Sequence, residues 1–192
     1  MPDAPRPVIS HWLFQLALLA LSLFWLVGAY NRLVRLRIAI VSAWEQIVAA
    51  LVKRSEAMAA VADAVRDTLV SESATLQSLA DADAKQRAAA DGVRQSRARI
   101  ADVSLWVSTE AALASPASRL RALIELQPGL VHELPQRAAL QAALAAWGEA
   151  EPRIQFARQG FNDAVDHYNQ AIRQFPTRLV STLFRFRPGG RV

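Results

Sequence analysis

Two hydrophobic periods divide this chain. Between Arg6 and Arg32 lie 25 consecutive residues without a formal charge, and from Trp12 to Ala29 only Gln15, Ser22 and Gly28 interrupt the apolar run. At ~1.5 Å per residue a helix over 8–30 covers the ~30 Å hydrocarbon core of a bilayer, so the pattern predicts a transmembrane helix there. Trp12 at one end, with Trp25 and Tyr30 at the other, suit the interfaces. The small residues Val27-Gly28-Ala29 also allow a signal-peptidase site, but the run exceeds the about 7–15 residues of a typical signal. A buried soluble helix is disfavoured because the run has no polar face.

From Leu33 the period becomes helical and one-sided. Leu33, Leu36, Ile40, Trp44, Ile47, Leu51, Met58, Val61, Val65 and Leu69 recur at three, four or seven residues, with charged side chains between them. No Pro or Gly lies between Tyr30 and Val70, so the span is expected to run unbroken into a long amphipathic rod. Ser71 and Ser73 offer caps or a turn, and a second helical stretch is expected to follow to about Val107, with the weaker stripe Leu76, Leu79, Ala82, Ile100 and Val103. Ser115-Pro116 predicts the start of a short helix that ends before Gln127-Pro128-Gly129. Pro135 opens another through Leu140, Leu144 and Trp147, which Pro152 restarts or kinks. Ile154, Ala157, Phe161, Ala164, Tyr168, Ile172 and Phe175 then share a face until Pro176. No period-2 alternation is sustained anywhere. The expected fold is all-α: an N-terminal transmembrane helix followed by an antiparallel bundle of three or four long helices, over residues 31–176. Residues 1–7 form a short N-terminal tail and 177–192 a basic, apolar C-terminal one.

Composition narrows the chemistry. The 192 residues include no cysteine, which excludes disulfides, thiol catalysis and Cys-ligated zinc. The net charge of +5 is uneven: residues 1–70, 71–150 and 151–192 carry surpluses of +2, −1 and +4. A basic end suits an anionic membrane surface, whereas a nucleic-acid partner would need a basic groove or stacking module that the sequence does not display. His11, His132 and His167 do not form a metal-binding set; Asp163 and His167, four apart, read as an exposed-face pair. Neither a G-x-S-x-G turn nor a Gly-rich phosphate loop is present, so no enzyme activity and no cofactor is expected.

The polar residues that stand out are Tyr30, Asn31, Arg37 and Arg54 on the first rod, and Arg158, Asn162, Asp163, Tyr168 and Asn169 on the last. They read either as inter-helix hydrogen-bonding groups or as a recognition surface for a partner protein near the membrane.

Three segments resemble the LemA family of bacterial membrane proteins. They are Tyr30-Asn31-Arg32-Leu33-Val34-Arg35-Leu36-Arg37 continued by Ala43-Trp44 and Lys53-Arg54; the turn Glu125-Leu126-Gln127-Pro128-Gly129-Leu130; and Arg153 to Phe175-Pro176 with Phe161-Asn162-Asp163 and Tyr168-Asn169. The resemblance implies a single-pass protein with a long-helix bundle and no established enzymatic activity. Where the family carries polar residues and a proline, this chain has Val48, Ala50 and Ala57-Met58-Ala59-Ala60-Val61-Ala62, which implies a straighter first rod and, if those polar positions serve a shared function, its loss or alteration here.

The functional expectation is a bacterial inner-membrane protein whose bundle is a non-catalytic scaffold or adaptor for an unidentified partner protein, with homo-oligomers also open. The alternative is a lipid-handling module, or an accessory subunit of a membrane enzyme, with a cavity between helices. Arg32, Arg35, Arg37, Lys53 and Arg54 follow the span while Arg6 alone precedes it, so the bundle is expected in the cytoplasm. In the tail, Arg178, Arg185 and Arg187 alternate with Leu183, Phe184 and Phe186. That mixture suits either an anchor in the membrane surface or a cap on the open end of the bundle.

Overall fold

The computed structural model describes residues 8–126, 137–175 and 177–192. Helix α1 (Val8–Val65) is continuous through the apolar run and the amphipathic rod, as the absence of breakers requires. A 3₁₀ turn (Val70–Glu72) reverses the chain into α2 (Ser73–Ser96), and α3 (Ile100–Leu126) runs back beside it. Helix α4 (Arg137–Arg173) returns along α1, and the short α5 (Thr177–Leu183) lies across its end. Pairings such as Trp44 with Phe161 and Arg54 with Glu151 set α4 antiparallel to α1. The Trp44 indole N–H donates to the Ala90 carbonyl (3.2 Å) and Ser55 Oγ donates to Asp83 (2.6 Å), so α2 is antiparallel to α1 as well. Among the described residues the fold is all-α, a four-helix bundle whose first helix projects an exposed apolar segment.

Two hydrophobic cores fill the bundle in series. The one nearer the apolar segment holds Leu33, Ile40, Trp44, Ile47, Leu51, Trp106, Phe161, Val165 and Tyr168. Trp44 stands at its centre, edge-on to Trp106 and Phe161 with ring centroids 5.2 Å away in each case. The far core joins Met58, Val61, Val65, Leu79, Leu120, Leu140 and Trp147. Helices α3 and α4 also meet through guanidinium–indole stacking, with Arg121 over Trp147 at 4.0 Å and Arg158 over Trp106 at 5.4 Å.

Three local expectations need correction. The helix expected to reach Val107 ends at Ser96, because Arg97 and Ala98 adopt left-handed conformations (φ 56° and 64°). The Ala98 N–H donates back to the Val93 carbonyl (3.0 Å), closing a Schellman-type cap that glycine usually forms. Ile100 therefore begins α3, half-exposed, instead of joining a core stripe. Pro116 opens no helix but lies inside α3, and Pro152 likewise lies inside a continuous α4. In each case the carbonyl four residues earlier, of Ala112 or Gly148, belongs to an exposed residue and can be hydrated in place of its missing partner. Phe175 is 78% exposed and leaves the core face of α4 to stack on Trp25 at 5.9 Å. The Gln127–Leu130 turn, His132 and Pro135 lie outside the described residues.

Candidate functional site at the end beside the apolar segment

The predicted polar residues separate into three groups. Arg54 lies about 36 Å along α1 from Tyr30, well away from the others. It is 4% exposed and forks onto Glu110 through two short bonds (2.6 and 2.7 Å), while Gln86 donates to the same carboxylate at 3.0 Å. Glu151 stands 3.8 Å away. Burial pulls the Arg54 pKa down, but the Glu110 hydrogen bond and the charges of Glu110, Glu151 and Asp83 together raise it above its ordinary value. Arg54 thus ties all four helices together between the two cores, and its charge is spent internally.

The second group holds the C-terminal tail. Asn162 and Asn169 are two helical turns apart on α4. Asn169 Nδ2 donates to the Gly189 carbonyl (3.0 Å) and its Oδ1 accepts from the Gly189 N–H (2.9 Å). Asn162 does the same with Val192, both bonds at 2.9 Å. Seven helical residues advance about 10 Å and three extended residues nearly the same, so the two carboxamides fit the backbone of one extended strand. Tyr168, between them, donates to the Arg187 carbonyl at 2.9 Å. Burial raises the Tyr168 pKa, and the nearby Arg37 opposes that in part. The Gly190 N–H reaches the Ala98 carbonyl (3.0 Å), and a Cβ there would meet the Ile100 backbone at 2.9 Å, so this contact requires glycine. The α2–α3 turn, α4 and the tail are stitched into one end of the bundle.

That end faces the apolar segment. Tyr30 packs on Phe184 (centroids 5.0 Å) and Phe186 (6.0 Å). On α5, Thr177, Val180 and Ser181 turn inward, whereas Leu179, Leu183 and Phe184 are exposed. Leu183 and Phe184 therefore do not seal the core as a cap would. The exposed apolar row lies level with the end of the apolar run, and Arg178, Arg185 and Arg187 lie around it, exposed. Between α1, the α2–α3 turn and the tail opens a cleft of about 580 Å³ lined by Tyr30, Val34, Arg37, Ile38, Arg97 and Phe184.

Asn31 is exposed at the start of the rod, and Arg158 is engaged with Trp106. Asp163 and His167 are both exposed and make no hydrogen bond or ion pair with each other among the described residues. No group of three or more potential metal ligands occurs among the described residues. Sequence reasoning missed Glu110 and Gln86 around Arg54, and also Arg97. The Asn162/Asn169 spacing of seven, beside a tail carrying Gly189-Gly190, was the available signal for the clamp.

No curated protein matches the chain. The model of the LemA family, in contrast, matches residues 43–190, from the rod through the clamped tail. With a four-helix bundle behind one helix long and apolar enough to cross a membrane, and a family match over most of its length, the chain belongs to the LemA family.

Proposed function

We propose that this protein is a single-pass protein of the bacterial inner membrane whose cytoplasmic bundle is a non-catalytic scaffold, binding partner proteins close to the bilayer. The observation that carries the reading is the continuity of α1, which fixes the bundle rigidly to an apolar segment with a collar of arginines at the junction. Arg32, Arg35 and Arg37 follow the apolar run closely, which favours a cytoplasmic bundle, and the fold brings Arg97, Arg99, Arg185 and Arg187 to the same end. Both cores are filled by large side chains, which supports a rigid body over one that opens along its seam. Phe156, 74% exposed on the outer face of α4, offers an aromatic anchor to a partner. The alternative, a lipid-handling or accessory module, draws support from a cleft of about 330 Å³ between α1 and α2, lined by Ser55, Met58, Ala59, Leu76 and Leu79.

A photoreactive residue at position 156, illuminated in intact cells, tests the scaffold. The expected result is a discrete protein adduct whose yield falls sharply when residues 1–30 are removed, because the effective concentration at the membrane is lost. Absence of a protein adduct, or a yield indifferent to the span, contradicts the reading.

A further inference from the structure

The cleft at the bundle's membrane end has an apolar wall and a cationic floor. Tyr30, Val34, Ile38 and Phe184 form the wall, directly beyond the apolar run of α1. Arg37 and Arg97 form the floor and are shared with an adjoining pocket of about 150 Å³ that Arg185, Arg187 and Tyr168 complete. Among the described residues eleven ion pairs occur, and Arg37, Arg97, Arg185 and Arg187 take part in none of them. Arg99, at the rim, is different: it grips Asp102 through two bonds (2.8 and 3.0 Å), and that hydrogen bond holds the Asp102 carboxyl below its usual range. The four remaining arginines all line the smaller cavity, two of them the larger as well, and no carboxylate lines either.

Backbone conformation gives a second, independent observation. Arg97 and Arg185 both occupy left-handed positions, at φ 56° and 53°. Each sits at a helix C-terminus closed by a six-to-one hydrogen bond, Ala98 N–H to the Val93 carbonyl (3.0 Å) and Phe186 N–H to the Ser181 carbonyl (2.9 Å). Glycine is the residue such caps favour, and a side chain there is strained. Two separate caps thus place a strained arginine on the same small pocket, a pattern that bulk surface charge does not explain.

We infer that this cleft is a binding site for one anionic phospholipid of the leaflet in which α1 ends, its acyl chain lying along Tyr30, Val34, Ile38 and Phe184 and its phosphate among Arg37, Arg97, Arg185 and Arg187. Arg37 lies about 10 Å beyond Tyr30 along the helix, a distance that takes it from the hydrocarbon boundary through the headgroup layer. Guanidinium forks match phosphate oxygens, and the clamped tail holds two of the four in place. The site rests on the membrane-anchored reading above, but not on the scaffold role.

Full-length protein, extracted in mild detergent and offered equal amounts of dioleoyl phosphatidylglycerol and dioleoyl phosphatidylcholine, reports the site by native mass spectrometry of retained lipid. Wild type is expected to retain one phosphatidylglycerol with at least tenfold preference. The R97G/R185G variant should lose that preference while melting no lower than wild type, since glycine suits both caps. Arg173→Ala, an exposed arginine outside the cleft, should keep it. Equal retention of the two lipids by wild type, an unchanged preference in R97G/R185G, or an equal loss in Arg173→Ala overturns the site. Displacement of the lipid by millimolar inorganic phosphate also overturns it, in favour of a soluble anion. Carbonate extraction of native membranes separates the two failures: a chain released from the membrane defeats the anchored reading itself, whereas a retained chain without lipid preference defeats only the site.

Discussion

Arg54 and Arg97 show the two uses to which this bundle puts arginine. Arg54 sits between the two cores, 4% exposed, with its guanidinium forked onto Glu110 and its neighbourhood closed by Gln86 and Glu151. Arg97 stands in a strained cap at the end beside the apolar run, exposed, with no ion pair among the described residues. A buried charge must be matched within the fold or it costs several kcal/mol, so Arg54 is bound to structure. A charge at the rim carries no such requirement and remains available to a ligand. Between the two cores arginine is thus part of the internal frame, whereas at the end beside the apolar run it is left facing solvent.

Breaking the frame should give the largest effect. Arg54→Ala leaves the half-buried Glu110 carboxylate with only the Gln86 amide donating to it and is expected to cost about 3 kcal/mol, read from denaturant melts of the full chain in detergent. Glu110→Ala should be comparably damaging, and the double variant should cost clearly less than the two singles together. Additive costs would mean that the pair is not coupled and that Arg54 resembles the surface arginines after all.

A middle-sized effect is expected at the clamp. Asn169→Ala removes both bonds to Gly189 and should cost about 1–3 kcal/mol, with amide exchange accelerating first in residues 186–192 and at Ala98. If exchange instead rises uniformly over α4, the carboxamide supports the helix and the tail is not held through it.

The smallest effect concerns pH. The Tyr168 pKa is raised in the fold, so the unfolded chain gives up this proton first as pH climbs past the ordinary value near 10. Its contribution is fully present below that pH and is lost as pH rises through the folded value. Tyr168→Phe should flatten the loss of stability above pH 10 while costing about 0.5–1.5 kcal/mol at neutral pH for the missing bond to Arg187. An unchanged alkaline slope in that variant would assign the dependence elsewhere.

Much of this architecture was legible in the order of residues. The uncharged run before Arg32 and the stripe from Leu33 to Leu69 specify α1, because a 3.6-residue period without Pro or Gly leaves the chain one regular option. The core aromatics Trp44, Phe161 and Tyr168 followed from the same period. What escaped was non-local or unsignalled. The α2–α3 break lies at Arg97-Ala98, residues that ordinarily continue a helix, and the contacts of the tail with Ala98, Asn162 and Asn169 hold it in place. Pro116 reads locally as a helix start, but packing of Leu113 and Leu120 on either side keeps α3 intact through it. Arg54 was visible as a basic residue on the rod, yet its partners Gln86 and Glu110 come from two other helices that no local pattern joins to it.

If the clamped end of the bundle rests on the bilayer, as proposed, while the far end stands in water, labels at the two ends report different surroundings. The chain has no cysteine, so single labels are unambiguous. Spin labels at Leu183→Cys on α5 and Ser78→Cys on α2, in full-length protein reconstituted into vesicles, report their relative access to oxygen and to a water-soluble nickel chelate. High oxygen and low nickel access are expected at position 183, as for a side chain about 5–10 Å into the headgroup and acyl boundary, and the reverse at 78. Equal, water-like access at both positions would contradict it.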